Sequence, residues 1–266
     1  MFLTALLLLQ SAALPSFQEV QLRDCIKLAR SDPNSAIVNA DIMTRAGGGY
    51  LADICQAEAH ASARDYPKAA DIFAKAAALA ASAKDDRAAN LWAQAGNAAI
   101  AAGQNANAIT YLTKALDGAG QPPQKRAEIL IDRARAQVAS DGADGNDVAE
   151  DDVAAANADL AEVRRITPDN GLAWLLSATL ARRSGDLANA QNYIKTAADL
   201  SPSDAAVALE AGNIAAAAGA YRIAREQWQQ VIKIAPDSPQ AQAAKILLSE
   251  LDAIEANAAD TGSETR

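Results

Sequence analysis

Pro168, Pro202 and Pro236 recur at an offset of 34 residues, and Gly185 and Gly219, Ala178 and Gly212, Ala190 and Ala224, and Ile194 and Trp228 repeat at the same offset. A period of this length belongs to a helix pair rather than to a single turn or strand. It constrains the fold more than any other feature of the chain. Two antiparallel helices cannot bury their apolar stripes alone, so successive pairs must stack and share a core. Ala178, Gly212 and Gly96 are small enough to let one helix backbone approach the next, and Ile194, Trp228 and Leu112 fill the wider gaps between layers. Gly185-Asp186 reads as the turn within a pair: glycine accepts a positive φ at the end of the first helix, and aspartate caps the amides of the second. Pro202 and Pro236 stop the second helix, because proline lacks the amide proton and disfavours a helical residue before it. Half of the residues are apolar but only 4% are aromatic, which suits closely spaced helices rather than a sandwich or barrel.

The stretch from Gly171 to Ser238 writes the motif twice, and here the sequence resembles the tetratricopeptide repeat (TPR) family. Trp174, Ala178, Gly185, Ala190, Ile194, Ala197 and Pro202 fall where the markers of that repeat belong, while the second copy keeps Gly212, Gly219, Ala224, Trp228 and Pro236 but has Ala208 in the aromatic position. The resemblance, to exported bacterial TPR proteins in particular, implies an all-α, right-handed solenoid of stacked antiparallel helix pairs. Extending the frame predicts repeats over 50–83, 89–122, 127–170 with an insertion, 171–204 and 205–238. An N-terminal helix pair over 17–49 precedes them. A capping helix over 239–255, with Ala243, Ile246, Leu247, Leu251 and Ile254 facing back, and a disordered tail over 256–266 follow.

Several chemical readings fall away. A net charge of −9 and a pI near 4.7 disfavour nucleic acid and anionic membrane surfaces as partners. The Gly47–Gly49 triplet is followed by no Lys-Ser or Lys-Thr, so it reads as a helix stop rather than a phosphate loop. The insertion from Ser140 to Asp152 is rich in carboxylates, but Ala143 and Gly145 stand where an EF-hand would need ligands if Asp141 were the first, so a solvated loop is expected. His60, the only histidine, occupies a position expected to pack in the core. No nucleophile, dinucleotide or metal-ligand motif is present, which points to a non-catalytic protein without cofactor or metal.

Phe2 to Leu9 is an apolar run followed by Gln10-Ser11-Ala12-Ala13, the core and cleavage region of a secretory signal over 1–13, too short to span a bilayer. No basic residue precedes it after Met1. Two readings therefore stand: a protein exported to the periplasm or beyond, or a cytoplasmic one with a hydrophobic first helix. Cys25 and Cys55 lie two helices apart at similar depths. They fit either a disulfide, which an exported protein favours, or two buried thiols.

In TPR proteins the first helices of successive pairs line a groove. The resemblance implies that Leu51, Ile54, Glu58, Asn90, Ala93, Asn97, Glu128, Ile131, Arg135, Leu172, Leu175, Thr179, Arg182, Arg183, Leu209 and Asn213 face it. Asn90, Asn97, Arg135, Leu172, Leu175, Thr179, Arg182, Arg183 and Asn213 are the candidate partner-binding set. Arg135, Arg182 and Arg183 are expected to form a cationic spot that orients an acidic or C-terminal segment, with Ile131, Leu172 and Leu175 giving apolar contact. Asn90 and Asn97 lack the paired lysines of the carboxylate-clamp subset, so recognition of chaperone tails is not implied. The expected function is a scaffold for a peptide or protein partner in the bacterial cell envelope. The alternatives are a self-association module packing through its outer faces and end helices, or a cytoplasmic adaptor.

Overall fold

The structure is a computed structural model and describes residues 16–118, 120–139 and 150–263. The proposed signal, most of the acidic insertion and the last three residues lie outside these. The described residues form thirteen α-helices and no strand, the all-α solenoid architecture that the 34-residue period requires. The chain divides into two compact units, 1–104 and 105–266, and the division falls inside the expected 89–122 repeat.

Unit 1 holds α1 (Phe17–Ser31), α2 (Pro33–Arg45), α3 (Gly49–Ser62), α4 (Tyr66–Ser82) and α5 (Ala88–Ala101). Each helix packs on the next, and α1 also packs on α3. The core is built mainly from alanine: Ala52, Ala57, Ala69, Ala76, Ala80 and Ala99 have no exposed surface, so backbones rather than long side chains set the helix spacing. Cys25 of α1 and Cys55 of α3 are joined in a disulfide with Cα atoms 5.8 Å apart, within the ordinary span for such a bond. The glycine triplet is a helix stop: Gly47 and Gly49 take φ of +81° and +54°, and a Cβ on Gly48 would stand 2.8 Å from the Met43 carbonyl oxygen. His60 is buried at the end of α3 with Nδ1 3.1 Å from Asp65 Oδ2.

The link from Lys84 to Ala88 is more than a spacer. Arg87 donates through Nε and Nη2 to Asp85 at 2.9 and 2.6 Å, through Nη1 to Glu19 of α1 at 2.7 Å, and lies 5.5 Å over the Tyr50 ring of α3. The Tyr50 hydroxyl donates to Asp85 at 2.5 Å. Hydrogen bonds from the Arg87 side chain hold the Asp85 carboxyl well below the usual carboxylate range, and burial pushes the Tyr50 hydroxyl upward.

Unit 2 holds α6 (Asn105–Leu116), α7 (Pro123–Ala139), α8 (Glu150–Ile166), α9 (Gly171–Arg183), α10 (Leu187–Leu200), α11 (Ala205–Ala217), α12 (Tyr221–Ile234) and α13 (Pro239–Ser263). Asp186 caps α10 by accepting from the Asn189 amide at 3.1 Å, as its place after Gly185 predicts. Leu112, Leu130, Leu160, Leu180 and Ile214 are among the largest fully buried side chains. Arg133 of α7 forks onto Asp159 of α8 at 2.8 and 2.7 Å and donates to Thr113 of α6 at 3.1 Å, joining three helices through one guanidinium. Arg164 of α8 lies 5.3 Å over Trp174 and 4.7 Å over Tyr193.

Two expected boundaries move. Glu150–Asp152, read as the end of the insertion, already have helical backbone in α8. The tail expected to be disordered from 256 is helical through Ser263: alanine at 256, 258 and 259 favours helix even where no apolar stripe continues.

Candidate functional site

At the end of unit 2, α9, α11, α12 and α13 converge on a hollow of about 420 Å³. Its aromatic side comes from α12. Trp228 is held edge-on because Gly212 of α11 has no side chain: a Cβ there would overlap the indole Cδ1 and Nε1. The indole Nε1 donates to Asn213 Oδ1 at 3.1 Å, which fixes the amide so that its nitrogen points the other way. Tyr221, half exposed at the first position of α12, closes one rim. The opposite wall is α13, whose Leu247, Leu251 and Ile254 line the hollow. Ile254 is 59% exposed, so that wall is apolar surface open to solvent.

Polar groups meet at the α9–α11 side. Arg182 Nε and Nη2 donate to Glu210 Oε1 and Oε2 at 2.6 and 3.3 Å, and Asn213 Nδ2 donates to the same carboxylate at 3.4 Å. Glu210 is buried, and the fork from Arg182 satisfies both its oxygens. Arg225 of α12 donates to Asp252 and Glu255 of α13 at 2.5 and 2.8 Å, outside the hollow; hydrogen bonding to Asp252 raises its pKa.

Arg182 and Asn213, of the candidate set, are brought together here. The three arginines of the expected cationic spot are engaged within the fold: Arg182 pairs with Glu210, Arg135 pairs with Asp132 at 3.3 Å, and Arg183 donates to the neutral Val138 carbonyl at 2.6 Å. Leu175 and Ile131, expected as apolar contacts for a partner, are only 8% and 6% exposed and belong to the core, because their helices are buried on more than one side. Leu172 is 44% exposed, and the Thr179 hydroxyl donates to the Leu175 carbonyl at 3.2 Å. Asn90 and Asn97 are exposed on α5 in unit 1. There Glu58 accepts from Gln94 at 3.1 Å, and burial pushes its carboxyl above the ordinary value against the opposing pull of Arg30. Periodicity did not single out Glu210 or Tyr221, and it gave Leu247, Leu251 and Ile254 of α13 only as residues facing back onto the last repeat. The marker position of Trp228 was the one available signal, and it pointed only to the core.

A second hollow of about 460 Å³ lies between α10 and α12 over α11, lined by Ile194, Ala211 and Ile223. It has no aromatic and none of the candidate residues. Among the described residues no group of three or more His, Cys, Asp and Glu is placed to hold a metal, and no helix is long and apolar enough to cross a membrane.

Neither a protein-family profile nor a curated protein matches the chain. Solved structures do. PilW, a widely conserved type IV pilus biogenesis factor, superposes with a TM-score of 0.65 at 18% identity over 86% of this chain and 99% of its own. PilF of Pseudomonas aeruginosa gives 0.60 at 16% identity, covering 87% and 99%. YrrB, a TPR protein with an unusual peptide-binding site, gives 0.53 at 18% identity, covering 77% and 96%. The fold is that of the TPR proteins.

Proposed function

We propose that this protein is a non-catalytic scaffold that holds a peptide or protein partner, with the hollow between α11, α12 and α13 as the seat of one apolar side chain of that partner. The carrying observation is the convergence of Trp228, Tyr221, Leu251 and Ile254 on a hollow with one oriented amide, Asn213. An apolar recess with a few fixed polar groups is the ordinary form of a ligand seat. YrrB, described by its peptide-binding site, lends support by analogy of fold. Work in the cell envelope is part of the same proposal. It rests on the signal-like start of the sequence, on the disulfide, which suits an oxidising compartment, and on the likeness to PilW.

A photo-crosslinking residue in place of Tyr221 is expected to trap a discrete partner in cells, and the same residue at Gln191 on α10 is not. Adding Ala216→Trp, which fills the hollow, is expected to abolish the adduct while helix content stays unchanged. Equal trapping from both positions, or persistence in the filled variant, would overturn the assignment. Self-association through the outer helices would instead give a sedimentation coefficient that rises with protein concentration.

A further inference from the structure

The charges around the hollow are not balanced, and the imbalance has the opposite sign to the cationic spot expected from the sequence. Of the two arginines near it, Arg182 is taken up by the buried Glu210, and Arg225 is shared between two carboxylates, Asp252 and Glu255. Glu250 of α13 lines the hollow, is exposed, and makes no ion pair or hydrogen bond within the described residues. Of the charged residues that line the hollow, Arg182 is paired and Glu250 is not, and the Arg225 group beside it sets two carboxylates against one guanidinium, so the mouth is anionic, in a chain whose net charge is −9.

We propose, building on the scaffold reading above, that the partner presents a large apolar side chain next to a lysine or arginine. The apolar group enters between Tyr221 and Ile254, the exposed apolar side chains that line the hollow, over a floor of buried Trp228 and Leu251. Leu247, Glu250 and Ile254 lie three and four residues apart on α13, so they share one helix face. A long cationic side chain can lay its methylenes along that apolar face and bring its charged head to Glu250. The peptide backbone has a partner as well. Asn213 uses Oδ1 for the Trp228 indole and one Nδ2 hydrogen for Glu210, which leaves its second Nδ2 hydrogen to donate to a carbonyl. An acidic segment meets the reverse: its carboxylate approaches Glu250 and finds Arg182 already neutralised. The anionic field also raises the encounter rate of a cationic segment, an effect that falls with added salt.

The test follows the indole N–H resonances of the full chain, which has three tryptophans, with the Trp228 signal assigned by its loss in Trp228→Phe. Three blocked pentapeptides are titrated, each with a central phenylalanine flanked by two lysines, two serines or two glutamates. The lysine peptide is expected to shift the Trp228 signal saturably, leave Trp92 and Trp174 unmoved, and bind at least tenfold more tightly than the glutamate peptide. In Glu250→Lys, an exposed substitution that leaves the core intact, that advantage is expected to be lost. Equal affinity for all three peptides would overturn the cationic specificity while leaving the apolar seat standing. Failure of every peptide to move Trp228 would overturn both. A Trp228 shift that follows protein concentration without peptide would make a second copy the occupant and overturn the peptide inference.

Discussion

Replacing Arg182 by methionine removes the guanidinium but keeps most of the methylene packing, leaving the Glu210 carboxylate, whose side chain is 9% exposed, with only the 3.4 Å contact from Asn213. Two unit charges about 4 Å apart attract by about 4 kcal/mol at an effective dielectric of about 20. The Arg182 side chain is 26% exposed, so solvent screens part of this, and a coupling of about 2 to 3 kcal/mol is expected. Arg182→Met should therefore cost about 2 to 3 kcal/mol. Glu210→Met should cost less, about 1 to 2 kcal/mol, because the freed arginine can swing to water. The double variant should fall within about 1 kcal/mol of the parent, since it leaves no buried charge unpaired. Urea denaturation of the four proteins, with hydrogen exchange on α9 and α11 to localise the loss, completes the cycle. Additive single costs, with coupling below about 0.5 kcal/mol, would show that the pair does not join α9 to α11 and would refute the reasoning. The same experiment guards against a false positive: an Arg182 variant that loses a partner through local unfolding says nothing about direct contact.

Opening the Cys25–Cys55 bond, by reduction or as Cys25→Ala with Cys55→Ala, should lower the stability of unit 1 by about 3 to 4 kcal/mol in the chain-entropy model. Urea melts with and without reductant read this, and thiol labelling of denatured, unreduced protein should find both cysteines blocked. Because the folded-state pKa of Asp85 is depressed, its contribution is fully present above the unfolded-state value near ~4 and is lost as pH falls through the folded-state value. The urea midpoint of unit 1 should therefore drop from pH 5 towards pH 2, and Asp85→Asn should flatten that slope; a parallel fall in the variant would discount the Arg87 network.

The repeat architecture is legible in the sequence because it depends on residues whose role is fixed by backbone geometry. Gly103, Gly185 and Gly219 take φ of +72°, +76° and +72° where the frame puts the turns, and Cys25 and Cys55 meet because alternate helices of such a stack are neighbours. The frame allows exceptions too: Arg64 takes φ of +62° in the place usually given to glycine. The site was legible only in part. Periodicity says which face of a helix carries Arg182, but whether that guanidinium reaches outward or to Glu210, 28 residues on, depends on a pairing between helices that a one-dimensional pattern does not record. The Arg87 network was hidden for a similar reason: Lys84 to Ala88 looks like an unpatterned link, and its partners Glu19 and Tyr50 are 68 and 37 residues away. The capping helix α13 is legible from its own apolar periodicity, but that pattern does not record that Ile254, expected to face back, is 59% exposed.

The bond between α1 and α3 also changes what the chain looks like to anything that handles it as a thread. Stacked helix pairs come apart one layer at a time, and a protease or unfoldase that pulls from one end ordinarily meets them in succession. Entering from the N-terminal side, it would reach at Cys25 a closed loop running 30 residues on to Cys55. Past that point more than one segment of the chain must advance abreast. A pore that admits only one would halt there with α4, α5 and all of unit 2 still folded, until a reductant cut the loop.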